Sequence, residues 1–150
     1  MQVPREIRAV LDGEPRVGSD DEPVHLLLTT DEDGAPYVCL LSRAQLEAGG
    51  ETVHAVVYTS GTKANLDRTG VAVLVVITGG VAHYCTLAVQ RQVSDGALSA
   101  YALALRDHRY DGVPGAQLRA MRYTVTDRMP RDEDWTTTRL LLDRLAAGSG

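Results

Sequence analysis

The chain has 150 residues, 44% of them hydrophobic, and a formal charge of -5 at pH 7, so it can bury a core without disulfides or metal and is not a disordered polymer. That acidic balance leaves no basic face for a phosphate backbone and excludes nucleic acid as a partner. No run approaches the roughly 18 apolar residues of a membrane helix, and MQVPREIRAVLDGEPR places charges where a signal peptide needs an apolar stretch. The expectation is a cytoplasmic chain forming a single domain over 1–150, with no membrane association.

From Val24 the pattern is strand, turn, strand: VHLLLTT, then DEDGAP with its Asp and Gly turn chemistry, then YVCLLS. SRAQLEAGGET connects, with a short helix stopped at Gly49 and Gly50, and VHAVVYT is a third strand. A helix of about two turns follows through KANLDRT, capped by Ser60 or Thr62 and ended by Gly70. VAVLVVIT and VAHYCTLAVQRQV flank the pair Gly79 and Gly80 and form a long hairpin.

SDGALSAYALALRDHRY places Leu98, Tyr101, Ala102 and Leu105 at helical spacing and predicts a surface helix. LRAMRYTVTDRM predicts a sixth strand, and an acid-started helix at about 131–147 closes the chain. The resulting fold class is mainly β with peripheral helices, a six-stranded antiparallel split β-barrel. So few strands leave a filled interior, which puts any ligand at a barrel edge, a helix terminus or a subunit interface.

The segment YTSGTKANLDRTG holds the only lysine of the chain, Lys63. A helix that starts directly after a strand aims unpaired N–H groups and the positive end of its dipole at one spot. Hydroxyls of Thr59, Ser60 and Thr62 and the charge of Lys63 add to it, and together they describe a phosphate seat. A Walker P-loop does not fit, because GTK lacks the upstream glycine at the required spacing. The plain alternative is a capped connecting helix with an exposed lysine on its first turn.

In the order YVCLLS, VVYTSGTKANL and a long strand hairpin, the stretch from Val24 to Val93 resembles the FMN-binding split barrels related to pyridoxamine 5'-phosphate oxidase. Tyr58 and Thr59 match the family's Y-T pair, and Lys63, Ala64 and Leu66 match its K-A-x-x-L helix start. Tyr37 and Ser42 stand where the family's R-x-V-L-L-K strand has Arg and Lys. The resemblance implies cofactor contacts at Tyr58, Thr59, Ser60, Thr62 and Lys63, a homodimer, and FMN as cofactor, with deazaflavin or haem behind it. It implies an oxidoreductase acting on an unknown small substrate. The alternative is a flavin, haem or deazaflavin binding module without turnover, or a cofactor-free interaction domain. The family's substrate histidine is missing before Asp143, where Leu142 stands, so the vitamin B6 reaction is not expected.

Other features have structural readings. Cys39 and Cys85 lie in apolar segments without CxxC spacing and read as buried free thiols. His25, His54 and His83 show no metal spacing, and His83 lies on a strand placed to line a ligand edge. Acids at Asp31 to Asp33 and Asp132 to Asp134 suit a turn and a helix start, and Trp135 suits a packing anchor.

Overall fold

His25, Leu27 and Thr29 of strand β2 (His25–Thr30) turn inward while their neighbours face out, the period-2 burial of a strand with one covered side. A computed structural model describes residues 1–148. Strand β3 (Pro36–Leu41) pairs with β2 through a turn in which Asp31 Oδ1 accepts the N–H groups of Asp33 and Ala35, both at 2.9 Å. The remaining strands of the main sheet are β4 (Leu46–Gly49), β5 (Thr52–Val57), β6 (Val71–Thr78), β7 (Val81–Asp95) and β8 (Leu98–Asp111). Their spatial order is β3-β2-β6-β7-β8-β5-β4, with every neighbouring pair antiparallel.

The ribbon of β7 and β8 joins the two halves of this curled sheet. The first part of β7 pairs with β6, and the first part of β8 pairs with β5. Irregularities at Thr86/Leu87 and Val89/Arg91 interrupt the register between them. Such bulges bend and twist a ribbon, which lets one pair of strands serve both halves of a split barrel.

Three sequence expectations are corrected here. The main sheet has seven strands rather than six. The predicted surface helix of residues 94–110 is instead the end of β7, a two-residue hairpin turn at Gly96 and Ala97 with Gly96 at φ 60, and β8, in which Leu98 to Leu105 are buried throughout. Tyr101, Leu103 and Leu105 join the barrel core, whereas Leu98, Ala100 and Ala102 pack under the C-terminal helix. A strand covered on both faces loses the polar alternation that marks strands, and its alanines mimic a helix. The predicted sixth strand shrinks to β9 (Arg122–Tyr123), which pairs with β1 (Glu22–Pro23) outside the main sheet.

Between β3 and β4 the suggested short helix is only a 3-10 turn, Arg43–Gln45, and the chain re-enters the sheet at Leu46. Helix α1 (Arg5–Val10) was not expected. Its Ile7, with Val3 and Leu11, belongs to the core cluster and closes one end of the barrel. Helix α2 (Ser60–Thr69) links β5 to β6. The C-terminal helix is divided into α3 (Met129–Asp132) and α4 (Trp135–Ala147), with Asp134 at φ 50 between them accepting the Thr137 N–H at 3.2 Å. Trp135 packs with Ala44 and Val125 and donates to Glu133 Oε1 at 3.0 Å. No described helix is long and apolar enough to cross a membrane.

Candidate functional site

Helix α2 begins two residues after β5 ends, with Tyr58 and Thr59 as the link. Thr59, rather than Ser60 or Thr62, is the N-cap: its carbonyl accepts the Lys63 N–H at 3.1 Å, while its side chain makes no capping bond. The helix start therefore has no hydroxyl cap from its own N-cap residue, and its dipole is aimed at solvent beside Tyr58, which is 61% exposed. At the other end Gly70 adopts φ 69 and returns its N–H to Leu66 O at 2.9 Å, the left-handed stop anticipated from the sequence.

The helix is fixed on several sides. Asn65 Nδ2 donates to Thr29 Oγ1 at 3.0 Å, Arg68 donates to the Thr30 carbonyl, and the Tyr101 hydroxyl donates to Asp67 Oδ1 at 3.0 Å. Tyr37 of β3 lies against the first turn: a Cβ on Gly61 would stand 2.7 Å from its hydroxyl oxygen and 2.8 Å from Cζ. Lys63 reaches from this turn to the β7–β8 hairpin, where Nζ donates to Ala97 O at 2.7 Å. Ser60 is exposed, but Thr62 is fully buried, and its hydroxyl lies against the Cys39 thiol without a satisfied hydrogen bond of its own. Of the five predicted contact residues, four stand around one helix start and Thr62 offers only its backbone there.

Beside Lys63 and Ala97 opens a cleft of ≈ 440 Å³, walled by Tyr58, the turn from Asp95 to Leu98, the α3–α4 junction from Asp132 to Asp134, and Thr137. Four of these residues are acids. They oppose an anion in the cleft itself and confine any phosphate seat to the helix start and Lys63. The junction acids were readable only as a helix start, because nothing in the local pattern reveals that α3 folds back to β8.

The two positions where the family pattern has Arg and Lys have other work. Tyr37 packs on Gly61, and Ser42 donates to Glu133 Oε1 at 2.8 Å. Arg91 donates to the carbonyls of Arg144 and Leu145, holding the end of α4. Both cysteines are buried free thiols, and burial pushes Cys85 up to about 11, far from thiolate chemistry. Burial, with the Arg43 charge second, lowers His25 to about 4, and neither of its ring nitrogens has a partner. His83 does not line the cleft. It pairs opposite Tyr110, at the end of the ribbon away from Ala97.

No family model matches this sequence, and no curated protein matches it. Solved structures do share its fold. An F420 reductase superposes with a TM-score of 0.56 at 12% identity, over 71% of this chain and 98% of that one. An FMN-binding protein from Syntrophomonas wolfei subsp. wolfei gives 0.55 at 14%, over 76% and 86%. The flavin reductase PheA2 gives 0.54 at 8%, over 73% and 90%. The chain thus has the split-barrel fold found in flavin reductases and FMN-binding proteins.

Proposed function

We propose that the protein is an FMN-binding flavoprotein of the split-barrel class related to pyridoxamine 5'-phosphate oxidase, acting as a homodimeric oxidoreductase on a small substrate. The observation that carries this reading is the start of α2: an uncapped helix terminus directly after a strand, beside the chain's only lysine. The residues present fit a phosphate. Lys63 would exchange the Ala97 carbonyl for a phosphate oxygen, with the Ser60 hydroxyl and first-turn N–H groups as further donors. Tyr58, exposed beside them, supplies an aromatic surface for the cofactor.

When bound, the flavin supplies the hydride chemistry. The protein positions the phosphate at α2 and brings the acidic cleft wall near the cofactor, which disfavours a second anion there. Strand β3 supports the dimer reading. It ends the sheet with an edge that no other described strand pairs and exposes Val38 and Leu40 by 51% and 59%, apolar surface that a second copy would cover.

One observation favours the second reading, a binding module without turnover. Tyr37 and Ser42 are engaged in packing and in the bond to Glu133, so Lys63 alone offers a full positive charge among the predicted contacts. Titration of tag-free protein with FMN, followed by flavin fluorescence and by sedimentation equilibrium, tests the proposal. Saturable micromolar binding to a dimer is expected. A protein that leaves FMN fluorescence unchanged at those concentrations, or stays monomeric when saturated, contradicts it.

A further inference from the structure

The turn that joins β7 to β8 is held from outside the ribbon. Asp95 pairs with Leu98, so Gly96 and Ala97 are the two central residues, and neither belongs to the strand ladder. Residues 94–97 are all exposed, and the Ser94 and Ser99 hydroxyls, 3.0 Å apart, mark the last pair below the turn. Lys63 Nζ reaches across from the first turn of α2 and donates to Ala97 O at 2.7 Å, a link between positions 34 residues apart. The tip is thus fixed at its base by the ladder and at its end by one ammonium.

The same turn, from Asp95 to Leu98, is one wall of the ≈ 440 Å³ cleft shared with Tyr58 and the α3–α4 junction. We propose that Lys63 is a strap on this wall, and that a phosphate-bearing ligand seated at the start of α2 unfastens the strap and loosens the wall. The inference rests on the phosphate seat proposed above. A lysine ammonium is a mobile point charge on a flexible stem, and a charged phosphate attracts it more strongly than a neutral carbonyl does. Repulsion acts in the same direction. Asp95 opens the turn, and a phosphate beside Lys63 pushes on its carboxylate.

The coupling is reciprocal. Holding the turn lowers the affinity for the phosphate, and seating the phosphate frees the turn. A small molecule that needs a wider cleft than the strapped one therefore enters after the phosphate-bearing ligand and not before it. The strap makes the order of binding a property of one side chain.

The test follows 15N relaxation and amide exchange in the labelled full chain, with the Gly79–Gly80 turn of the β6–β7 hairpin as internal reference. Lys63→Met keeps an unbranched stem and has no donor. Without any ligand it should speed exchange at Leu98 several-fold and lower the order parameters of Gly96 and Ala97, leaving the reference turn unchanged. Wild type should reach that state only when saturated with FMN, whereas riboflavin, which has no phosphate, should leave the turn as it is. Lys63→Arg, which keeps a charged donor, should hold the turn nearly as wild type does. Equal values in Lys63→Met and wild type, or changes that spread to the reference turn, overturn the strap whatever FMN does. FMN that binds and leaves the turn unchanged overturns the coupling while the cofactor reading stands. A looser turn in Lys63→Met with no binding of FMN to wild type overturns both the cofactor reading and the coupling, and leaves a plain structural tie.

Discussion

The Tyr101 hydroxyl, on a side chain wholly buried in the barrel, donates to Asp67 Oδ1 on helix α2 at 3.0 Å. This bond crosses from the floor of the barrel to the helix whose start carries Lys63. Burial raises the Tyr101 pKa first, and the Asp67 carboxylate adds to it, so the phenol stays a donor at every physiological pH.

Tyr101→Phe therefore removes a bond to a charged acceptor without changing the ring. Asp67 is exposed and regains water, which limits the loss to about 1 kcal/mol. Urea unfolding should show a lower midpoint with an unchanged slope. An unchanged midpoint would mean that the bond does not hold α2 to the barrel.

Gly61 and Tyr37 are expected to be energetically coupled. A helical Gly→Ala change gains up to about 1 kcal/mol from propensity, but here the new Cβ would overlap the Tyr37 ring. Gly61→Ala should be neutral or destabilising in wild type and stabilising in a Tyr37→Ala background. The double-mutant cycle measures this directly, and additive effects would show that the ring moves aside freely.

His25 makes stability depend on pH. Its folded pKa of about 4 lies below the ordinary value of 6.5, so between these values the unfolded chain binds the extra proton. Its contribution is complete above pH 6.5 and is lost as pH falls toward 4, up to about 3 kcal/mol. His25→Leu, which also removes two unpartnered buried nitrogens, should gain on wild type by most of that amount between pH 7 and pH 4.5. A difference between the two proteins that is constant from pH 7 to 4.5 would show that His25 does not titrate as described.

Local signals carried much of this fold into the sequence. The turn at Asp31 to Ala35, the stop at Gly70 and the strands around Gly79 and Gly80 each rest on chemistry within a few residues. Strand β8 was hidden because α4 covers its alanine face, so burial on both sides erased the alternation. Gly96, at the first of the two central turn positions, was the available hairpin signal, outweighed by the helical spacing of Leu98, Tyr101, Ala102 and Leu105. At the candidate site the segment from Tyr58 to Lys63 was legible as a helix start. The Ala97 carbonyl, the Tyr37 ring and the acidic wall come from distant parts of the chain and left no local pattern.

The central claim is that Lys63 serves a cofactor phosphate, and paired titrations of wild type and Lys63→Ala with FMN and riboflavin test it most directly. Because Lys63 must leave the Ala97 carbonyl to reach a phosphate, the loss for FMN should be about 1.5 kcal/mol, roughly tenfold in Kd. Riboflavin, which has no phosphate, should bind both proteins equally. Lys63→Arg should retain part of the FMN affinity, since the charge remains while the donor geometry differs. Equal losses for the two ligands, or unchanged FMN affinity in Lys63→Ala, would contradict the account.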